Sequence, residues 1–507
     1  MKKIYRYILL LLLGAGTVSC EGFLEKDPDG AIPTGEVLNS MDDVEPYIMG
    51  VYSAFKNSAL YSGILTLAPD IQADLMYAVN GYTNQYGDIW RWNILGTTGE
   101  VASVYSGLYL VISRVNFFLD RVPALEKLAL TDDDRELLDK CKGDCYLARA
   151  LAYSELLKLY CKAYDPATAD DELGMSMILT YDESAMEEPR ATLKRSYELV
   201  LADLEEAGKY VTRDVSNSIY FTVGTLNALY ARTYLYMQQW DKAVEYATKV
   251  IDNSNYALAS CFVASDGSSS MSQYQYMWYY DTSSEVIWKV AFTATSAGGS
   301  LSTIFHHYNY TSMPYMPDYV PAQWLLDLYD TTTDARYSTF FNQQQTGYSH
   351  GLSWPLFIGK YWSNPTLNAT TSESFLNEPK VFRLSEQYLI RAEAYAELGE
   401  DELAAADLTT LRKARIQGYT EYHGTGDELM EEIRTERVKE LCMEGFRLQD
   451  LKRWHEGFAR TPQEATVSGT TANELRVDAD DALFVWPIPQ HELEAFPGLQ
   501  PNESNKQ

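Results

Sequence analysis

The chain has 507 residues, 46% of them apolar and 22% charged, a balance that excludes a disordered polypeptide and leaves ample length for a large packed core. With 41 Lys and Arg against 71 Asp and Glu, its formal charge at pH 7 is -30. So acidic a chain, with no basic stretch of useful length, argues against nucleic acid or an anionic lipid surface as partner.

The opening, MKKIYRYILLLLLGAGTVSC, carries Lys2, Lys3 and Arg6, then an apolar run from Ile8 to Leu13, then small residues from Gly14 to Ser19. A spanning helix needs about 20 apolar residues and this run has roughly half that, so residues 1–19 read as a cleaved export signal. Cys20 at the junction resembles the lipobox of bacterial lipoproteins, with Thr17 where that pattern usually has leucine. In such proteins the thiol receives diacylglycerol and the new amino terminus a third chain. Several acyl chains at about 0.8 kcal/mol per buried methylene hold a protein stably on a membrane. Residues 20–40, beginning CEGFLEKDPDG, read as the tether behind that anchor.

From Met41 to Asp252 the pattern is helical. Val44, Ile48, Val51 and Phe55 make one face, and Val101, Val104, Leu108, Ile112, Val115 and Leu119 another. In TLNALYARTYLYMQQWDKAVEYATKVID, Ala228 and Ala231 lie on a first helix, Gln238 to Asp241 form a turn, and Ala243 and Ala247 lie on a second. Small residues on touching faces let two helix backbones approach closely, which resembles the tetratricopeptide hairpin. DCYLARALAYSELLKLYCKAY, with Ala148, Ala150 and Ala152, looks like the first helix of another pair. Cys141 and Cys145 lie four apart on that helix with no histidine near and read as small core residues, not a metal pair or a disulfide.

Residues 253–380 change texture to Ser, Gly, Asn and Tyr, with a strand expected in EVIWKVAFTA and a helix at AQWLLDLYD. A loop-rich insertion on a helical frame is where binding residues tend to sit. Tyrosine numbers 39 against 17 phenylalanines, and many of these rings fall in the non-helical parts. Tyr and Trp offer a flat apolar face with a polar edge, which suits the C–H face and hydroxyl rim of a pyranose, or a peptide. Trp288 and Trp324 read as core. Trp278, Tyr279, Tyr308 and Tyr315, with Tyr82 and Trp90 from the earlier aromatic loop YAVNGYTNQYGDIWRWN, are the expected exposed platforms.

Residues 381–507 return to helix. SEQYLIRAEAYAELGEDELAAADLTTLRKAR is a second alanine-rich hairpin, turning at Gly399, and Pro487, Pro489, Pro497 and Pro501 exclude long helix from the tail. No glycine-rich phosphate loop, G-x-S-x-G elbow or H-E-x-x-H occurs, so no catalytic residue, metal site or cofactor is assigned; paired carboxylates of a glycosidase leave an enzyme as a minor alternative. The adjacent His306-His307 reads as polar loop.

The stretch IRTERVKELCMEGFRLQDLKRWHEG spaces Arg437 and Glu440, Glu444 and Arg447, Arg447 and Asp450, and Asp450 and Arg453 each three apart, as an ion-pair lattice along one helix side would be. Its Glu436, Arg437, Glu440, Leu441, Glu444, Gly445, Arg447, Asp450, Leu451, Arg453 and Trp454 resemble the E-R-x-x-E-L-x-x-E-G-x-R-x-x-D-L-x-R-W run of SusD/RagB proteins. FLEKDP after the lipobox, GVYSAF, VYSGLYLVISRVN, RLSEQYLIRAEAYAELG and the closing WPIP agree with that family and extend the likeness along the mature chain. The resemblance implies a mainly α fold, a tetratricopeptide-like helical-hairpin scaffold with a loop-rich, aromatic-rich insertion containing short strands. It also implies a surface lipoprotein of Bacteroidota that sits on a SusC-like TonB-dependent outer-membrane transporter and passes it glycans or, in some members, peptides. The family has no fixed ligand motif, so the aromatic nominations stand on the residues alone. Glycan capture, peptide capture and a lipidated scaffold without small ligand all remain open on the sequence.

Overall fold

The computed structural model describes residues 37–506, except residue 82 and residues 183–187, 215–216, 264–269, 307–314, 346–352, 369–374 and 461–474. The leader with Cys20, Tyr82, His307 and Tyr308 therefore lie outside the described residues.

Twelve helices of seven residues or more occur among the described residues: α1 Val44–Ala54, α2 Ile64–Gln72, α3 Gly99–Leu128, α4 Asp132–Tyr160, α5 Leu193–Gly208, α6 Val223–Tyr236, α7 Trp240–Ile251, α8 Gln273–Tyr280, α9 Leu384–Glu397, α10 Asp401–Arg415, α11 Gly426–Leu441 and α12 Arg447–Arg453. Their starts follow local chemistry. Thr131 accepts a hydrogen bond from the Asp134 backbone while the Asp134 carboxylate accepts one from the Thr131 backbone, and three aspartates in the first turn suit the positive end of α4. α3 is long and apolar enough to cross a membrane by length and composition, but it packs as a core helix against α1, α2 and α4.

Most of the alanines expected to let helices close up do so, while Ala406 faces solvent. Ala231, Ala243, Ala247 and Ala394 are all fully buried in one cluster with Leu235 and Ile390, which locks the α6–α7 hairpin onto α9. Ala392, Ala404 and Ala405 join Leu408, Leu429 and Ile433 in a second cluster that locks α9 and α10 onto α11. Gly399 makes the turn between α9 and α10 at φ +77°, in the left-handed region a glycine enters without strain. Packing thus runs from hairpin α3–α4 through α5 to hairpin α6–α7, and on through α9 and α10 to α11. The architecture is a mainly α helical-hairpin scaffold.

Among the described residues, ten short strands form five two-stranded antiparallel ladders: β1 Met76–Ala78 with β5 Tyr319–Pro321, β2 Leu173–Ser176 with β3 Arg190–Thr192, β4 Val286–Lys289 with β8 Lys380–Arg383, β6 Phe341–Gln345 with β7 Ser353–Ile358, and β9 Phe458–Ala459 with β10 Arg476–Val477. β4 is shorter than the strand expected, and all four of its residues are buried, so its alternation does not mark one wet face. Lys289 solves its own burial by donating to the Asp281 carbonyl at 2.7 Å and to the Glu378 carboxylate.

Charge ties this irregular layer to the helices. The oxygens of Glu440 accept from Arg383 Nη1 at 2.7 Å, Arg415 Nε at 2.9 Å and Nη2 at 3.0 Å, and Arg336 Nη1 at 3.2 Å. Glu436 takes Arg336 at 2.6 Å and Arg412 at 2.7 Å, while Glu444 takes Lys360 and Arg383 at 2.7 Å each. Arg447 reaches back to Asp74 at 2.9 Å, and Arg437 to Asp450 at 3.0 Å. Of the four pairs expected at spacing three, only Asp450–Arg453 closes, at 2.9 Å. The spacing rule describes a helix side facing water. Here the side is buried, and a buried charge has to be enclosed by partners from several segments.

Candidate functional site

The two aromatic stretches that are far apart in sequence meet in space. β1 and β5 pair Tyr77 with Val320 and Ala78 with Tyr319, which sets the loop after β1 beside the segment leading into β5. Asp318 then fixes that loop: Thr83 donates to its carboxylate from the backbone at 2.8 Å and from the hydroxyl at 2.6 Å, and Val79 N–H donates to its carbonyl at 2.8 Å. Tyr319 Oη donates to the Gln85 carbonyl at 2.6 Å. Asn80, Asn84 and Gln85 stand exposed on this loop, and Arg91 holds the Asn84 side chain at 2.8 Å.

Beside β5 lies β7, and the segment that continues from it presents the main ring of the site. Every residue from Phe357 to Asn364 is buried except Trp362. Lys360 turns inward, where its ammonium donates to the Cys442 carbonyl and the Glu444 carboxylate at 2.7 Å each, and Tyr361 donates to the Met443 carbonyl at 2.9 Å. With its neighbours anchored on both sides, the half-buried Trp362 indole is held at the surface. Tyr315, also half-buried, lies 5.6 Å from it between ring centroids, and His306 4.5 Å. Behind them Phe357 is fully buried. Asn364 donates to the Tyr280 carbonyl at 3.1 Å, which attaches the end of α8 to the same frame. There Tyr276 is exposed, and Tyr280 lies 4.5 Å from Tyr276 and 4.8 Å from Tyr279.

His306 is not the polar loop residue expected. It ends a short helix, Thr303–His306, and is buried with Nδ1 at 2.6 Å from Ser302 Oγ. Burial holds its pKa down to about 3, so the ring is neutral.

Two expected platforms belong to the core instead. Trp90 is 2% exposed: the Arg460 guanidinium lies 4.8 Å from its ring, and its indole N–H donates to the Met76 carbonyl at 3.4 Å. Trp278 is 3% exposed, with Lys360 at 4.4 Å, Lys380 at 4.5 Å and Arg383 at 5.2 Å over its ring. Buried cations need negative potential as well as carboxylates, and an indole face supplies it. Both indoles are therefore taken up by internal guanidinium and ammonium groups. Tyr279 and Tyr315 keep one face toward solvent as half-buried rings. Trp362 was not among the residues nominated from sequence; the only local signal is the Ser363-Asn364-Pro365 turn that follows it.

The arrangement can hold a flat, amphipathic ligand: rings for apolar C–H faces, and exposed amides on the neighbouring loop for hydroxyls. Among the described residues no cluster of three metal-ligating side chains occurs.

Two family models match the chain. Residues 356–504 match the SusD family, and residues 22–235 match a family described as starch-binding, associating with outer membrane. SusD-like protein P38 of Formosa agariphila is 23% identical, with 97% of each chain covered, and SusD-like protein P25 of the same organism is 22% identical over 89% of this chain and 90% of that one. Among solved structures, a SusD superfamily protein from Bacteroides thetaiotaomicron superposes with a TM-score of 0.77 at 21% identity over 91% of this chain and 99% of its own. A putative sugar binding protein from Bacteroides vulgatus does so with a TM-score of 0.75 at 22% identity over 92% and 99%.

Proposed function

Because the chain belongs to the SusD/RagB family, we propose that it is a surface-exposed, lipid-anchored protein of the outer membrane that captures glycans and hands them to a SusC-like TonB-dependent transporter. It binds and releases its ligand without turning it over. Cys20 carries the anchor, and the hairpin scaffold takes the transporter. The starch-binding description of one matching family and the sugar-binding title of one structural relative support the ligand class. The single observation that carries the reading is Trp362, the one surface ring in an otherwise buried eight-residue segment, backed by Tyr315. A rigid indole loses little entropy on binding, so a sugar ring stacked there keeps most of its contact energy.

Affinity electrophoresis against a panel of polysaccharides tests this. At least one glycan should retard the wild-type protein, Trp362→Ala should run free, and Tyr315→Ala should fall between them. If no glycan retards the protein while it binds components of a peptide digest, the ligand class is wrong. Retardation that survives Trp362→Ala moves the site elsewhere.

A further inference from the structure

Between the α6–α7 turn and helices α9, α11 and α12 lies a pocket of about 160 Å³ lined by Tyr236, Gln238, Trp240, Glu397, Arg434 and Trp454, together with the paired Glu393 and Arg453. Pockets for larger organic ligands run to roughly 300–1,000 Å³, so this one has room for a single ring. Trp240 is half-buried, its inner side packed on the Ala231–Leu235 cluster, and Trp454 is half-buried with Nε1 donating to Glu393 at 3.0 Å. Gln238 takes a left-handed backbone, φ 56°, and its side chain donates to the Tyr164 carbonyl at 2.9 Å, which fixes the turn that carries Trp240.

Polar groups in this pocket are left over. Tyr236 is 8% exposed and its hydroxyl has no hydrogen-bond partner among the described residues; the Nε–H of Arg434 has none among them either, although its Nη1 pairs with Glu456 at 2.5 Å. Buried polar groups without partners are rare enough in folded proteins to need an explanation. Glu393 is satisfied by Arg453, whereas Glu397, one turn on, forms no ion pair among the described residues. Burial and the neighbouring Glu393 raise its carboxyl above the ordinary range. The charge pattern narrows the ligand further. An anion would meet Glu397, and a cation would meet Arg434 and Arg453, which lie 4.9 and 4.7 Å from the Trp454 ring. A neutral ring bearing hydroxyls offends neither and serves both the carboxylate and the unused donors.

We infer that this pocket is a second saccharide site, taking one neutral pyranose residue stacked on Trp240 with its hydroxyls shared between Glu397, Arg434 and Tyr236. It rests on the proposed glycan reading for the ligand class alone, since its residues are separate from those around Trp362.

Fluorine NMR of fluorotryptophan-labelled full chain tests it, with the Trp240 and Trp362 signals assigned from single Trp→Phe variants. The probes are the methyl glycosides of glucose, galactose, mannose, xylose and N-acetylglucosamine at millimolar concentration. At least one should move the Trp240 signal saturably, equally in Trp362→Ala. Glu397→Ala should weaken that binding about ten-fold, or about 1.4 kcal/mol, as the loss of a hydrogen bond to a charged group predicts. Glu397 is only partly covered and forms no ion pair among the described residues, so an unchanged thermal melt is expected of this variant. The inference is overturned if no glycoside moves the Trp240 signal, or if Glu397→Ala binds as tightly as wild type. Glycosides that move Trp362 but not Trp240 reject this site and leave glycan capture standing; movement of neither signal rejects this site, and glycan capture is then decided by the polysaccharide panel.

Discussion

Replacing Glu440 with glutamine is the sharpest test of what holds the binding frame together. Glu440 is fully buried, and three guanidinium groups, those of Arg336, Arg383 and Arg415, aim donors at its two oxygens. Burial opposes its charge, but Arg415, Arg383 and Arg336 outweigh that and hold the carboxyl well below the usual carboxylate range. Glutamine keeps the shape and removes the charge. It also puts an N–H₂ group where one oxygen had accepted, so donor faces donor, and it leaves the buried network one negative charge short, although Arg336 keeps Glu436 and Arg383 and Arg415 keep Glu285. Removing one partner of a buried pair costs about 3–5 kcal/mol, a large share of the roughly 5–15 kcal/mol by which folded proteins are stable. Urea denaturation followed by tryptophan fluorescence measures it. Glu198→Gln is the control, since that carboxylate pairs with Arg195 at 3.3 Å in the open, and it should change stability by less than about 0.5 kcal/mol. The double variant Glu440→Gln with Arg415→Gln should recover at least about 1 kcal/mol of the loss, because it restores the charge balance of the buried network. A Glu440→Gln protein within about 1 kcal/mol of wild type would mean that the network is wetter or looser than its geometry, and the reasoning would fail.

Two further outcomes follow from single residues. His306 is held neutral with its pKa pushed down to about 3, below the roughly 6.5 of an unfolded chain, so the unfolded state takes the proton first and stability falls as pH drops from about 6.5 toward 3. His306→Phe keeps a ring against Trp362 and Phe357, and the loss of stability between pH 7 and pH 5 should be about 2 kcal/mol smaller in it than in wild type; equal losses would show that this imidazole is not the group titrating. Gly445 stands at φ +83°, and a Cβ there would come within 2.9 Å of the Leu65 carbonyl and 3.1 Å of the Thr66 carbonyl. Gly445→Ala should therefore cost about 1–3 kcal/mol in the same urea assay, and a change under about 0.5 kcal/mol would remove the steric reason for glycine at this point of the motif.

What could be read in advance follows the range over which each signal acts. The alanine hairpins were legible because helix period and close approach are set within a dozen residues: Ala243 and Ala247 identify the buried face of α7 without knowledge of α9. Trp278 was not, because the tyrosine-rich run around it suits a surface platform as well as a core, and its partners Lys360, Lys380 and Arg383 arrive from the far side of the insertion. An indole that caps buried cations and one that offers a face to a ligand look alike in a sequence. The charged motif shows the same limit: its residues read as ion-pair formers, but the partners of Glu440 and Glu444 lie on β8, on α10, before β6 and after β7, and no helical spacing points there. Tyr315 is half-buried, and Trp362 carries no local signal in the sequence beyond the turn that follows it, because its prominence depends on the burial of every neighbour from Phe357 to Asn364.

That burial makes the proposed binding surface and the charged motif parts of one device. Lys360 is pulled inward by the Cys442 carbonyl and by Glu444, and its ammonium also lies over Trp278 and Phe340. Lys360 and Tyr361 form a turn after β7 and are both anchored inward, to the Cys442 and Met443 carbonyls, which leaves Trp362 little freedom. The energy that positions the ring is therefore spent in α11 and the turn after it, not in the ring's own contacts. Trp362 should consequently be replaceable with little cost to the fold, whereas changes at Glu440 or Glu444 should loosen the ring while leaving it in place. Stability and ligand affinity then respond to different residues: Trp362→Ala should lose affinity at nearly constant stability, and Glu440→Gln should lose stability first.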